Sequence, residues 1–136
     1  MATETRPLEE IDHVQLPVPN TDTAVAWYTT HLGFTLDLHR EDLAILQLPT
    51  GPSLFLWRTH DETDGNFTRD GQAMPSIGIR TGDVKRLHML LQSLGVQITV
   101  YQDEGFGVVL KFYDPFGNLL VVYEPNNQPS NQGFQI

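Results

Sequence analysis

Cysteine is absent from the 136 residues, and with it disulfide frameworks, thiolate metal sites and a cysteine nucleophile. Positive charge is scarce: eight Lys and Arg stand against seventeen Asp and Glu, a formal charge of −9. Such a surface repels phosphate backbones and anionic lipid, which argues against nucleic-acid and membrane partners. Long apolar runs are missing too, although hydrophobic residues make up 40% of the chain. No run approaches the roughly 20 residues that a membrane helix needs. The first ten residues, MATETRPLEE, lack the basic and apolar regions of a secretory signal. With the missing cysteines, this leads to the expectation of a cytoplasmic protein. Phosphate-binding loops, nucleophile elbows and zinc-protease signatures do not occur.

What is present is a pattern that occurs twice. Residues 11–18, IDHVQLPV, alternate polar and apolar as a strand does. A helix follows, with N-cap candidates from Asn20 to Asp22 and a stop at Gly33. Three short strand-like runs come next, at 34–40, 43–48 and 53–58. A polar stretch over 59–72 reads as a linker or mobile loop. The order then repeats: a strand at 74–80, a helix at 81–95, and strands at 96–101, 108–113 and 119–124. Leu-Gly closes both helices with an offset of 62 residues, which points to an internal duplication. The predicted organisation is a tail over 1–8, a module over 9–58, a linker over 59–72, a second module over 73–125 and a tail over 126–136. The fold class is α+β: two βαβββ modules whose curved mixed sheets surround a cleft, with the helices on the outer face.

Period two assigns faces within that scheme. Val14, Leu16 and Val18 form an apolar set, so His13, Gln15 and Pro17 look the other way. Val108, Leu110 and Phe112 take the core, leaving Val109, Lys111 and Tyr113 opposite. Ile77 and Ile79 leave Ser76, Gly78 and Arg80, while Val96, Ile98 and Val100 leave Gln97, Thr99 and Tyr101. The same rule assigns Phe55 and Trp57 to the core and Leu54, Leu56 and Arg58 to the other face. Arg58, Arg80 and Lys111 either form a cationic spot for a carboxylate or phenolate, or reach the rim and pair with acids. Tyr101, Tyr113 and Tyr123 offer rings to a planar ligand. Residues 103–107, DEGFG, read as a mobile flap.

Residues 114–118, DPFGN, read as a tight turn ahead of the apolar strand LLVVYE. Together with the duplicated βαβββ pattern and the DHVQLPV strand, this YDPFGNLLVVYEP hairpin resembles the vicinal oxygen chelate superfamily. That group includes glyoxalase I, extradiol dioxygenases, fosfomycin-resistance enzymes and bleomycin-resistance proteins, and the resemblance covers residues 9 to 125. It implies a homodimer with sites at module junctions. In the enzymes it also implies a divalent metal held by the first and last strands of each module. Carried over by position, the donors fall on His13, Leu56, Ser76 and Val121, of which only His13 offers a good lone pair. Glu124 lies three residues past Val121, so alternation sends it to the opposite face.

The resulting expectation is a small-molecule binding protein with no catalytic residue, no resident metal and no other cofactor. Its ligand would be held by His13, Gln15, Gln47, Arg58, Ser76, Lys111, Tyr113 and Tyr123. The alternative is a metal-dependent lyase, isomerase or dioxygenase with unusual ligands such as Glu124, or metal-free proton transfer with His13 as base. The acidic composition suits a cationic ligand and the local cations an anionic one, so ligand charge stays open.

Overall fold

A computed structural model describes residues 6–126. The chain divides into two compact units, the first ending at Asp61 and the second beginning at Glu62. In the first unit β1 (His13–Val18) leads into α1 (Thr21–Leu32), followed by β2 (Thr35–His39), β3 (Leu43–Gln47) and β4 (Ser53–Arg58). The sheet order is β1-β4-β3-β2. β1 runs parallel to β4, and the remaining pairs are antiparallel. A parallel pair needs a long crossover, and α1 with β2 and β3 supplies it.

α1 starts where Asn20 takes an extended backbone and its side chain accepts the Thr23 N–H at 3.0 Å. Thr21, Ala24, Val25 and Tyr28 form its buried stripe. Tyr28 meets Phe34 edge to face at 5.5 Å between ring centres. Beneath the helix the sheet contributes Leu16, Val18, Ala44, Leu46, Leu54 and Leu56, all buried. A side chain of that kind, fully withdrawn from water, contributes about 1.5–3 kcal/mol. The pairing Leu16–Leu56–Ala44 runs across three strands, which fixes the register of the face.

The second unit repeats that order. β7 (Ile77–Arg80), α2 (Val84–Ser93), β8 (Ile98–Asp103), β9 (Gly107–Tyr113) and β10 (Leu119–Pro125) form a sheet in the order β7-β10-β9-β8. β7 is parallel to β10. Leu91 of α2 packs on a face built from Leu110, Phe112, Leu120 and Val122. Among the described residues, no helix is long and apolar enough to cross a membrane.

Two expectations about connecting segments change, and one about a strand. Within the stretch 59–72, read as linker or mobile loop, residues from Phe67 on enter a hairpin of β5 (Phe67–Arg69) and β6 (Gln72–Met74). Its two-residue turn has Asp70 at φ +51° and Gly71 at φ +79°, the backbone of a type I′ turn. The 103–107 segment is tied down: Glu104 N–H donates to Gly107 O at 2.8 Å, and Asn126 N–H to Phe106 O at 3.0 Å. β8 does not keep strict alternation either. A register shift between Ile98 and Val100 turns Val100 away from α2 and Tyr101 toward it, where Tyr101 stacks on His88 at 3.7 Å.

The DPFGN turn is a polar staple. Asp114 Oδ1 accepts from Phe116 N–H at 2.8 Å and from Asn118 N–H at 2.9 Å, while Asn118 Nδ2 donates to Asp114 Oδ2 at 3.0 Å. The staple reaches back along the chain, with Gly65 N–H donating to Asn118 Oδ1 at 2.8 Å and Leu119 N–H to Asn66 Oδ1 at 2.8 Å. Asn118 is fully buried and Asp114 nearly so, which makes every one of these bonds costly to break. Substituting Asn118→Ala removes the acceptor of the Gly65 N–H and the bond from Asn118 Nδ2 to Asp114. Urea unfolding should then show a loss of about 1–3 kcal/mol; an unchanged midpoint would mean that the staple is not a structural requirement.

Candidate functional site

In each unit the helix covers one side of the sheet, and the chemistry-bearing residues collect on the other. In the first unit, Leu16 and Val18 lie with Leu54 and Leu56 under α1. Alternation therefore sends His13, Gln15, Phe55 and Trp57 to the uncovered face. The parallel register sets Gln15 beside Phe55 and Pro17 beside Trp57. His13 stacks on Phe55 with ring centres 3.9 Å apart and planes 14° from parallel. Trp57 inclines to the same Phe55 at 6.4 Å, and its Nε1–H donates to Gln15 Oε1 at 2.6 Å. His13 Nδ1 is held by Asp12 Oδ2 at 2.9 Å, which leaves Nε2 as the free ring nitrogen. Gln47 joins the same face through its 3.4 Å bond to the Ser53 hydroxyl. Two aromatic rings, two carboxamides and an oriented imidazole thus form one surface, from which Trp57 is 39% exposed.

Phe55 and Trp57 are therefore not core residues, and Leu54 and Leu56 are. Both faces of SLFLWR are apolar, so alternation alone could not say which one meets the helix; the pairing with β1 decides it. Arg58 moves with that correction. It pairs with Val18 on the α1 side, and its Nη1 donates to Glu41 Oε2 at 3.0 Å. There it borders a groove of about 450 Å³ at the start of α1. His39 contacts Asp22 at 3.0 Å in the same groove, so Arg58 and His39 both have acidic partners within it. Arg58 is not a neighbour of His13 and Gln15.

In the second unit, β10 pairing with β9 aligns Val121 with Lys111, Tyr123 with Val109, and Leu119 with Tyr113. These residues face away from α2. Tyr123 already has work: its hydroxyl donates to Phe106 O at 3.2 Å. Its ring lies over Gly107, where an added Cβ would stand 2.5 Å from the Tyr123 ring and 2.6 Å from Glu124 O. Only glycine leaves room for that approach. Ser76 precedes β7 and donates its hydroxyl to Gly65 O. Glu124 turns to the helix side, as alternation implies, and its Oε1 accepts the first N–H of α2, from Val84, at 2.7 Å.

These positions do not suit a resident divalent ion. Leu56 is buried under α1, the Ser76 hydroxyl is committed to Gly65, and Val121 has no lone pair. Glu124 is spent on the α2 terminus. Among the described residues, no three His, Cys, Asp or Glu side chains gather around one point. A lone imidazole holds a borderline cation too weakly to count as a site.

The family model for the Glyoxalase/Bleomycin resistance protein/Dioxygenase superfamily matches residues 10–122. No curated protein matches the sequence. Among solved structures, the antibiotic binding protein TnmS3 from Streptomyces sp. CB03234 superposes with a TM-score of 0.70 at 20% identity, covering 88% of this chain and 98% of that one. Lactoylglutathione lyase from Agrobacterium tumefaciens gives 0.66 at 20% identity, covering 88% and 96%. TioX from Micromonospora sp. ML1 gives 0.65 at 21% identity, covering 87% and 100%. At these identities the likeness establishes the fold.

The role of Glu124 is open to direct measurement. Glu124→Ala should lower stability by about 1–2 kcal/mol through the lost cap at Val84, and Glu124→Gln by less than half of that. Equal and negligible effects in thermal unfolding would free Glu124 for another role.

Proposed function

Since the chain belongs to the Glyoxalase/Bleomycin resistance protein/Dioxygenase superfamily, we propose that it is a small-molecule binding protein that seats a planar, unsaturated ligand without a resident metal. The observation that carries this reading is the His13–Phe55–Trp57 surface, with Gln15 fixing the Trp57 indole. Rings presented in fixed orientations lose little entropy when a flat ligand stacks on them. Gln47 and the free His13 nitrogen give such a ligand hydrogen-bonding partners at its edge. Structures sharing the fold include both a protein described as antibiotic binding and a lyase, so the fold alone does not choose between holding and transforming a ligand. What favours holding is the chemistry at the positions where the resemblance places metal donors, since Leu56 and Val121 have no lone pair to give and the Ser76 hydroxyl is bonded to Gly65 O.

A homodimer in the cytoplasm completes the reading, the first from the pairing of modules that the family resemblance implies and the second from the lack of cysteine. One observation supports a catalytic alternative. Asp12 orients His13, and an imidazole held in this way can take a proton from a bound ligand.

Two measurements test these proposals. Titration with flat aromatic compounds should quench the fluorescence of Trp57, and Trp57→Ala should weaken binding about tenfold or more, in line with aromatic anchors at binding surfaces. Quenching that survives in Trp57→Ala would point to Trp27 and away from this surface. Equilibrium dialysis against Mn²⁺, Ni²⁺, Zn²⁺ and Fe²⁺ should leave well under one ion per chain. A near-stoichiometric ion removed by chelator would bring back the metal-dependent lyase or dioxygenase.

A further inference from the structure

We infer that the face of the second unit's sheet turned away from α2 is an anion-binding surface, taking the carboxylate or another single anionic group of a ligand with an apolar body. The inference goes beyond the proposed function, since it concerns the second unit alone and holds whichever molecule occupies the first.

The register of the sheet generates the surface. Lys111 on β9 stands between Val121 on β10 and Val100 on β8. Val100 is there only because of the register shift after Ile98; strict alternation would have sent it to the helix side. One row along, Arg80 on β7 stands beside Tyr123 on β10. Arg80 and Lys111 are two strands and two residues apart, about 12 Å between Cα atoms from standard sheet spacings. Their long side chains can therefore serve one ligand lying over Val121 and Tyr123.

Charge makes the case. The chain carries a formal charge of −9, yet no strand position on this face bears a carboxylate. Asp103 and Glu124 both turn to the helix side, and the Glu124 carboxylate is engaged by Val84 N–H. Three of the other six Lys and Arg sit beside acids, Arg40 by Asp42, Arg58 by Glu41 and Arg69 by Asp70. Lys111 and Arg80 have no such partner among the described residues. Arg80 also borders a groove of about 840 Å³ at the start of α2, which contains Glu124, and still forms no ion pair there. An ammonium flanked by valines is partly stripped of water, so an anion placed against it interacts in a lower effective dielectric.

Shape agrees with charge. Gly78 beside Val121 carries no side chain, and a Cβ there would meet nothing closer than Val121 Cγ1 at 3.5 Å. The row leading to Lys111 is therefore low on its β7 side. An apolar ligand body can lie along it with its charged end at the ammonium. The earlier conflict over ligand charge also eases, since Arg58 belongs to a groove with its own acids.

The test compares three ligands of one shape on the full chain at low ionic strength: 2-naphthoate, 2-naphthamide and 2-naphthylmethylammonium. Affinities are read from the backbone amide signals of Lys111 and Val121, because flat aromatics are also expected on the Trp57 surface. There naphthoate should bind about tenfold more tightly than the amide, with the cation weakest, as expected for a desolvated charge pair. Lys111→Met should bring the naphthoate-to-amide ratio close to one. Arg80→Gln should reduce it, and Arg58→Gln should leave it intact. In the unaltered protein, naphthoate should shift the backbone amide signals of Lys111 and Val121, a readout that does not depend on any variant folding. Absence of naphthoate binding, equal affinity for the amide or the cation, a ratio unmoved by Lys111→Met, or shifts confined to residues 13–57 would each overturn the inference. Failure of the Trp57 reading leaves these outcomes unaffected, because they are read on the other unit.

Discussion

The parallel pairing of β1 with β4, repeated by β7 with β10, is the constraint on which the rest depends. Two parallel neighbours cannot be joined by a short turn, so the chain must cross over, and here it does so with a helix on one side of the sheet. Covering one side leaves the other uncovered by that helix. Alternation along each strand then divides the residues into a set that builds the core and a set available for recognition. His13 and Lys111 owe their positions to this division. Neither is placed by a loop; both stand on strands whose register is fixed by buried side chains, Leu16 and Val18 on β1 and Leu110 and Phe112 on β9.

Much of this was legible in the sequence because the signals were local and redundant. Asn20 and Gly33 bracket the first helix, and Asp83 and Gly95 mark the second. The period-two runs between them gave the strands. The site was less legible because facing depends on the partner strand. SLFLWR is apolar at four of its six positions, with Leu and aromatic side chains on opposite sides, so only the Leu16–Leu56 pairing reveals which set is buried. Phe55 and Trp57 were hidden for that reason, and Arg58 was carried to the wrong face with them. Tyr101 was misassigned through a register shift that no side-chain pattern announces. The β5–β6 hairpin had a readable signal in Asp70-Gly71, but strands of three residues are too short to show a period.

The two uncovered faces are built from different materials. The first presents rings and neutral polar groups, with Asp12 orienting an imidazole. The second presents aliphatic side chains around isolated cations. Repetition of the fold has therefore not meant repetition of chemistry. The backbone supplies two equivalent frames, and the residues that alternate outward are free to differ because the core does not depend on them.

The staple around DPFGN also bears on the order in which the second unit assembles. Asn118 and Leu119 bond to Gly65 and Asn66, partners 53 residues earlier in the chain. Closing so long a loop is slow compared with forming α2 or the β8–β9 hairpin, and its entropy must be spent before the buried amides are satisfied. The turn whose sequence looks most local is thus completed only when distant segments arrive. Until then Gly65 and Asn66 have no fixed place, and the parallel strand pair that shapes the unit lacks its lock.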